Sequence, residues 1–165
     1  MAFNIKKHNT NLYNTLLYLS RNIYFYNKIY LKDTFETRIY LMFIHFSIIL
    51  IIFKNKNIRF PQNEYDSLFN CIENNLRELG VGDVGVNKRM KEQNKILYDI
   101  LLKINNSDNN FKINKILVLK YFKELGVAKD NKYALFEDYF VNFYNFCFDI
   151  NHKIMIKEAL KFKVK

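Results

Sequence analysis

The chain has 165 residues and a formal net charge of +10, and its composition is 50% hydrophobic and 17% aromatic. This length suits one domain, and the apolar content can build a large core, which excludes collagen-like, linker-like and intrinsically disordered chains. Lys outnumbers Arg by 21 to 5 and Asn occurs 23 times, so AT-rich coding explains part of the positive charge. The charge is therefore only a weak indication of nucleic-acid binding.

Two helices are predicted in the first third of the chain. The first spans about residues 8–26, where four apolar side chains recur every three or four positions: Leu12, Leu16, Leu19 and Ile23. The second spans about residues 34–53 and begins at an Asp33 or Thr34 cap. Because it is apolar on nearly all sides, we expect it to be the central helix of a bundle.

The run Ile39–Phe53 is the most apolar stretch of the chain, interrupted only by His45 and Ser47. It has 15 residues, fewer than the ~20 needed to cross a bilayer. We therefore interpret it as a buried core helix rather than a transmembrane span. His45 is interpreted as a buried histidine with satisfied ring nitrogens, with a ligand or a pH switch as the alternatives.

The remaining pattern is also helical, and no alternating run of useful length indicates a strand. The sequence thus predicts an all-α, single-domain bundle of about six helices over residues 1–165, with a short basic segment after Asn151. Buried reduced cysteines are expected at Cys71 and Cys147. The later helices are predicted at about 61–79 (with Pro61 in the first turn), 84–104, 111–125 and 132–148.

Gly80, Gly82 and Gly85 form a literal GxGxxG pattern. A nucleotide-binding loop of this type follows a strand, whereas here a predicted helix precedes it. The glycines are more consistent with a tight corner between two helices, with Asp83 as the N-cap of the second.

Residues 76–81 (LRELGV) resemble residues 122–127 (FKELGV). Both segments predict a helix end at which Gly80 or Gly126 takes the left-handed C′ position. The valine after each glycine would then pack back on the residue at C3, which is Leu76 or Phe122.

The sequence indicates no enzyme, metal site or cofactor. Glu137 and Asp138 are adjacent, so on a helix they point in different directions and form no acid–base pair. No pair or triad with catalytic spacing is present, and the cysteines and histidines lie too far apart to match a ligand motif: Cys71, Cys147, His8, His45 and His152.

Four basic residues open the fourth predicted helix, on the side away from its apolar stripe: Lys88, Arg89, Lys91 and Lys95. Cations near a helix N-terminus oppose the macrodipole, so local stability does not favour them. A solvated face is one interpretation, and a docking surface for RNA or lipid headgroups is the other.

Two stretches of this sequence carry specific motifs. Residues 33–45 contain Asp-Thr-Phe-x-x-Arg…Leu-x-x-x-His, and residues 62–91 contain Leu-Arg-Glu-x-Gly-Val-Gly-Asp followed by a basic helix. Both stretches resemble the patterns of the ubiquinol–cytochrome c chaperone family, the assembly factors for cytochrome b of the respiratory bc1 complex. The resemblance covers about residues 10–104. The matching motif residues are Asp33, Phe35, Arg38, His45, Asp66, Leu76, Arg77, Glu78, Gly80, Val81, Gly82 and Asp83.

One departure is notable. The family usually carries Phe-Tyr-Gly-Arg in the fourth helix, where this chain has Leu97-Tyr98-Asp99-Ile100. A role of that Gly-Arg pair therefore cannot be transferred to this chain, and the contacts around Asp99 are open.

The resemblance implies a non-enzymatic chaperone that receives nascent cytochrome b, with the ribosome exit site, a small partner protein and an anionic membrane surface as further partners. It also implies a bacterial-type protein, cytoplasmic and peripheral to the inner membrane, or on the matrix side if eukaryotic. We expect Arg38 to pair with Glu78 or Asp83, and the four basic residues at 88–95 to bind client or partner. The alternative is a small basic ribosome- or RNA-associated helical protein without a cytochrome client.

Overall fold

The computed structural model describes residues 11–105, 107, 110–127 and 130–164. Within them the chain is helical, and an isolated antiparallel bridge between Asn105 and Ile113 is their only β-type pairing. The all-α prediction is confirmed. The α-helices are α1 (Asn11–Ser20), α2 (Ile23–Asn27), α3 (Phe35–Asn55), α4 (Gln62–Glu78), α5 (Asp83–Lys103), α6 (Lys115–Tyr121), α7 (Lys132–Phe148) and α8 (Met155–Glu158), with short 3₁₀ helices at Lys123–Gly126 and Ala159–Lys161.

Helix α3 is the central helix and packs against α1, α5 and α7. It begins after Thr34, whose hydroxyl oxygen accepts a hydrogen bond from the backbone N–H of Thr37 at 3.1 Å. By length and a mean hydropathy of 1.7 it could cross a membrane, but 67% of its most apolar window is buried inside the protein. The structure therefore confirms the predicted core helix.

The first predicted helix, 8–26, is interrupted, and its residues 8–10 lie outside the described part of the chain. Helix α1 ends at Ser20 because Asn22 caps a separate helix, its Oδ1 accepting from the backbone N–H of Tyr24 at 3.0 Å. The Tyr26 hydroxyl donates to the Ser20 carbonyl oxygen at 2.8 Å, which satisfies an end group of α1. An asparagine side chain that competes with the helical backbone hydrogen bonds explains the break.

The predicted fifth helix, 111–125, is also shorter than expected. Residues 111–114 are not helical, and α6 begins only after Asn114, whose Oδ1 accepts from two backbone N–H groups of the first turn. The segment after α6 forms the short 3₁₀ helix Lys123–Gly126, and Gly126 is not among the residues with positive φ. The predicted left-handed cap at Gly126 is therefore wrong.

The other predicted helices agree with α4, α5 and α7 to within two residues. Pro61 lies one position earlier than expected, as the N-cap of α4 rather than in its first turn. Cys71 and Cys147 are buried and form no disulfide, as predicted, and burial raises the pKa of the Cys147 thiol to about 12. A thiol with this pKa stays protonated at neutral pH.

The basic segment predicted after Asn151 folds back on the bundle. Its Phe162 is 8% exposed. The ring of Phe162 contacts three aromatic rings of α7 at centroid distances of 5.2 to 5.5 Å: Tyr139, Phe143 and Phe146. These contacts place the end of the chain beside α1 and α7.

Candidate functional site

Motif residues from two helices meet at a groove of about 560 Å³, which we call the motif groove. Phe35 and Arg38 contribute from the start of α3, and Glu78 from the end of α4. The walls are largely apolar, and charged groups lie at the rim. The complete lining is Tyr13, Leu17, Arg21, Phe35, Arg38, Ile39, Met42, Asn75, Glu78 and Leu79.

The corner after α4 has the hydrogen bonds of a Schellman motif. Gly80 has a φ of +85°. Its N–H donates to the Arg77 carbonyl at 3.0 Å, and the N–H of Val81 donates to the carbonyl of Leu76 at 3.2 Å. The predicted left-handed C′ glycine is therefore confirmed at Gly80, and this corner fixes the end of α4 beside the motif groove.

The other two glycines of the corner have different roles. A Cβ added at Gly85 would lie 3.0 Å from Cγ1 of Val81, so glycine lets the Val81 side chain approach the first turn of α5. Gly82, with a φ of −69°, occupies the N-cap position of α5. The prediction that Asp83 is the N-cap is wrong by one residue, because Asp83 is already helical. The GxGxxG pattern thus joins two helices and follows no strand.

Ion pairs at the corner differ from the expected ones. Arg38 binds Asp33, with 2.7 Å between Nη2 and Oδ1 and a second contact from Nε at 2.9 Å. Asp83 pairs with Arg77, which also contacts Glu73 at 3.0 Å. The predicted pairing of Arg38 with Glu78 or Asp83 is therefore wrong, since each arginine pairs with carboxylates near it along the chain.

Three further motif residues do not line the motif groove: Leu76, Asp66 and His45. Leu76 is fully buried, whereas Asp66 is exposed and accepts a hydrogen bond from Gln62 Nε2 at 2.9 Å. His45 is fully buried, with Nδ1 2.6 Å from the Leu41 carbonyl oxygen and Nε2 2.9 Å from the Tyr139 hydroxyl. Both ring nitrogens have partners, which confirms the interpretation of a satisfied core histidine.

The partners of His45 also determine its protonation. A carbonyl oxygen only accepts, so Nδ1 carries the proton and Nε2 accepts from Tyr139. Burial raises the pKa of the Tyr139 hydroxyl well above its ordinary value, and the nearby Asn22 side chain lowers it by less. Burial lowers the pKa of His45 to about 3, so the ring is neutral at physiological pH and is not a pH switch there.

The four predicted basic residues lie on α5 and are all exposed: Lys88, Arg89, Lys91 and Lys95. None of them forms an ion pair with another described residue. They therefore present unneutralised positive charge to solvent, separately from the motif groove.

Asp99, where the chain departs from the family pattern, links α5 to α6. Its carboxylate contacts Lys103 at 2.5 Å and Lys120 at 2.6 Å, and it accepts from the Tyr121 hydroxyl at 2.5 Å. Burial alone would raise the pKa of Asp99, but these three donors outweigh it and hold the pKa well below the usual range. Its departure from the family pattern was the only signal in the sequence.

A second groove, of about 850 Å³, was not predicted. It lies between α1, α2 and the end of the chain, and its lining includes Arg21, Ile23, Lys28, Phe162 and Lys163. The folding back of the chain end creates it, so no local motif could have indicated it. Among the described residues, no group of three His, Cys, Asp or Glu side chains could hold a metal ion.

Comparison with known proteins agrees with the motif residues. The family model described as Ubiquinol-cytochrome C chaperone matches residues 27–114, which is more than half of the chain and includes every motif residue from Asp33 to Asp83. No curated protein and no solved structure matches the chain. Because this match covers more than half of the chain, the chain belongs to the ubiquinol–cytochrome c chaperone family.

Proposed function

We propose that this chain is a non-enzymatic assembly chaperone that binds newly synthesised cytochrome b and promotes assembly of the bc1 complex. Family membership supports the assembly role. The observation that carries client binding is the motif groove, where family-motif residues from α3 and α4 line an open, largely apolar cleft. An apolar or amphipathic segment of a membrane protein needs such a surface until it reaches its final partners.

In this role the chain works peripherally at the cytoplasmic side of the inner membrane of a bacterium, or at the matrix side in a eukaryote. Its proposed partners are nascent cytochrome b, the ribosome near its exit site and a small partner protein. The charged rim of the groove suits this client, because Arg21, Arg38 and Glu78 can contact the polar ends of a helix whose apolar part lies in the cleft.

Deletion of the gene tests the proposal directly. We expect the amount of assembled bc1 complex, measured on native gels and by the spectrum of its b haems, to fall strongly while transcription of the cytochrome b gene continues. Normal bc1 levels in the deletion strain would refute the proposed function.

A pair of matched variants tests the groove. Leu79 lines the groove and is 65% exposed, whereas Val127 is 59% exposed and is not part of its lining. We expect Leu79→Glu to reduce co-purification of unassembled cytochrome b and recovery of bc1, because a charge disfavours apolar contact. Val127→Glu should restore assembly like the wild type. Equal behaviour of the two variants would remove the motif groove from client binding.

A further inference from the structure

Six exposed side chains on the outward face of α5 lie close to one line along the helix axis. Successive members are separated by four or three residues, so at 100° per residue they deviate by only about 40° from one line along ~27 Å of helix. The line lies opposite the buried side chains of Val86, Leu97 and Ile100. We call it the α5 stripe: Val84, Lys88, Lys91, Lys95, Tyr98 and Leu102.

The middle of the α5 stripe is positively charged. Lys88, Lys91 and Lys95 are exposed and form no ion pair within the described ranges. The neighbouring carboxylates of Asp83 and Asp99 are already paired with Arg77, Lys103 and Lys120. Glu92, on the flank of the stripe, is the remaining acid of this part of α5. Arg89 points away from the line, towards one side of the helix.

Both ends of the α5 stripe are apolar and unusually exposed. Val84 is 87% exposed at one end, and Leu102 is 77% and Tyr98 54% exposed at the other. Phosphate contacts with RNA would engage the lysines but would leave Val84 and Leu102 in water. The interface of a bilayer serves both kinds of side chain, because phosphates lie beside the acyl boundary.

We propose that the α5 stripe docks on an anionic lipid bilayer. The three lysines contact lipid phosphates, and Val84 and Leu102 enter the boundary between headgroups and acyl chains. Charge complementarity and the apolar ends carry this assignment, and it does not depend on the identity of the client. An RNA or an acidic protein helix as the occupant is an outcome that the experiment separates.

Vesicle co-sedimentation of the full chain tests the proposal. We expect binding to vesicles of phosphatidylcholine with phosphatidylglycerol, little binding to phosphatidylcholine alone, and weaker binding at high salt. The triple variant Lys88→Ala, Lys91→Ala, Lys95→Ala should bind the anionic vesicles about 10- to 100-fold more weakly. The double variant Val84→Ser, Leu102→Ser should also bind more weakly, with a steeper dependence on salt.

A matched control removes the same charge elsewhere. Lys123, Lys153 and Lys157 are exposed and form no ion pair within the part of the chain that the structure describes. Their triple alanine variant should bind nearly as well as the wild type, and circular dichroism would show that all variants are folded. The proposal would be overturned if both triple variants lost vesicle binding to the same extent. It would also be overturned if the serine variant bound vesicles normally while an RNA bound in a lysine-dependent way.

Discussion

The hydroxyl of Tyr139 is the hydrogen-bond donor to the buried ring of His45. Its removal should lower the free energy of unfolding measurably. Tyr139→Phe keeps the ring but deletes the donor to His45 Nε2, which lies 2.9 Å away and is fully buried. We expect the free energy of unfolding to fall by about 1–3 kcal/mol because a buried acceptor is left without a partner. For a domain of this size this corresponds to a decrease in Tm of roughly 2–12 °C.

The same site predicts a dependence of stability on pH. Burial lowers the pKa of His45 from 6.5 to about 3 in the folded chain, so below pH 6.5 the unfolded state binds a proton that the folded state does not. Stability is therefore greatest above the ordinary pKa and is lost as the pH falls towards about 3. Between neutral pH and about pH 5, His45 should account for about 2 kcal/mol of this loss.

Urea denaturation followed by circular dichroism, at several pH values, measures both effects. His45→Leu removes the titrating group and should flatten the pH dependence by about the amount that His45 contributes. The double variant His45→Leu, Tyr139→Phe should be less destabilised than the sum of the single variants, because neither polar partner is left unpaired. Additive single effects, or an unchanged pH dependence in His45→Leu, would refute the buried neutral histidine.

The remaining predictions concern the corner and the link between helices. Gly80→Ala should lower the free energy of unfolding by about 1–2 kcal/mol, because alanine resists the left-handed region. Gly82→Ala is at a negative φ with no atom near the added Cβ, and the loss of the N-cap preference for glycine is offset by the lower entropy of the unfolded alanine chain. It should therefore change the free energy of unfolding by less than about 0.5 kcal/mol, and equal effects of the two variants would contradict the Schellman corner. Asp99→Asn should cost about 1–2 kcal/mol at neutral pH and much less in acid, where the carboxylate is protonated. Asp66→Asn, which loses one exposed contact, is its control, and an equal cost in both variants would contradict the Asp99 link.

The local parts of this fold could be predicted because their causes are local. Apolar spacing located α3, α4, α5 and α7, and the cap at Thr34 and the glycine at position 80 act within a few residues of chain. The break at Asn22 also had a local signal, since asparagine in a helical pattern favours a cap. The repeated Leu-Gly-Val segment predicted a left-handed cap at Gly126 as well. That prediction is wrong because the turn before Gly126 is a 3₁₀ helix.

Contacts between distant residues could not be predicted in this way. The bond between His45 and Tyr139 joins residues 94 positions apart, and Asp99 reaches Lys120 across 21 positions. The periodicity of each helix shows which face is buried but not which helix covers it. Arg38 is the opposite case, because the predicted partners Glu78 and Asp83 are distant along the chain, whereas the observed partner lies five residues away.

Helix α3 is synthesised before two of the helices that cover it in the folded chain. Its neighbour α1 leaves the ribosome before it, but α5 and α7, which cover other sides of it, follow later along the chain. Until α7 is complete at Phe148, a 21-residue helix whose most apolar window has a mean hydropathy of 1.7 faces water or any membrane close to the ribosome. His45 and Ser47 then raise the cost of entry into lipid, because a polar group without a partner is expensive there. The imidazole that joins α3 to α7 in the folded chain therefore also makes transfer of the isolated helix into lipid less favourable.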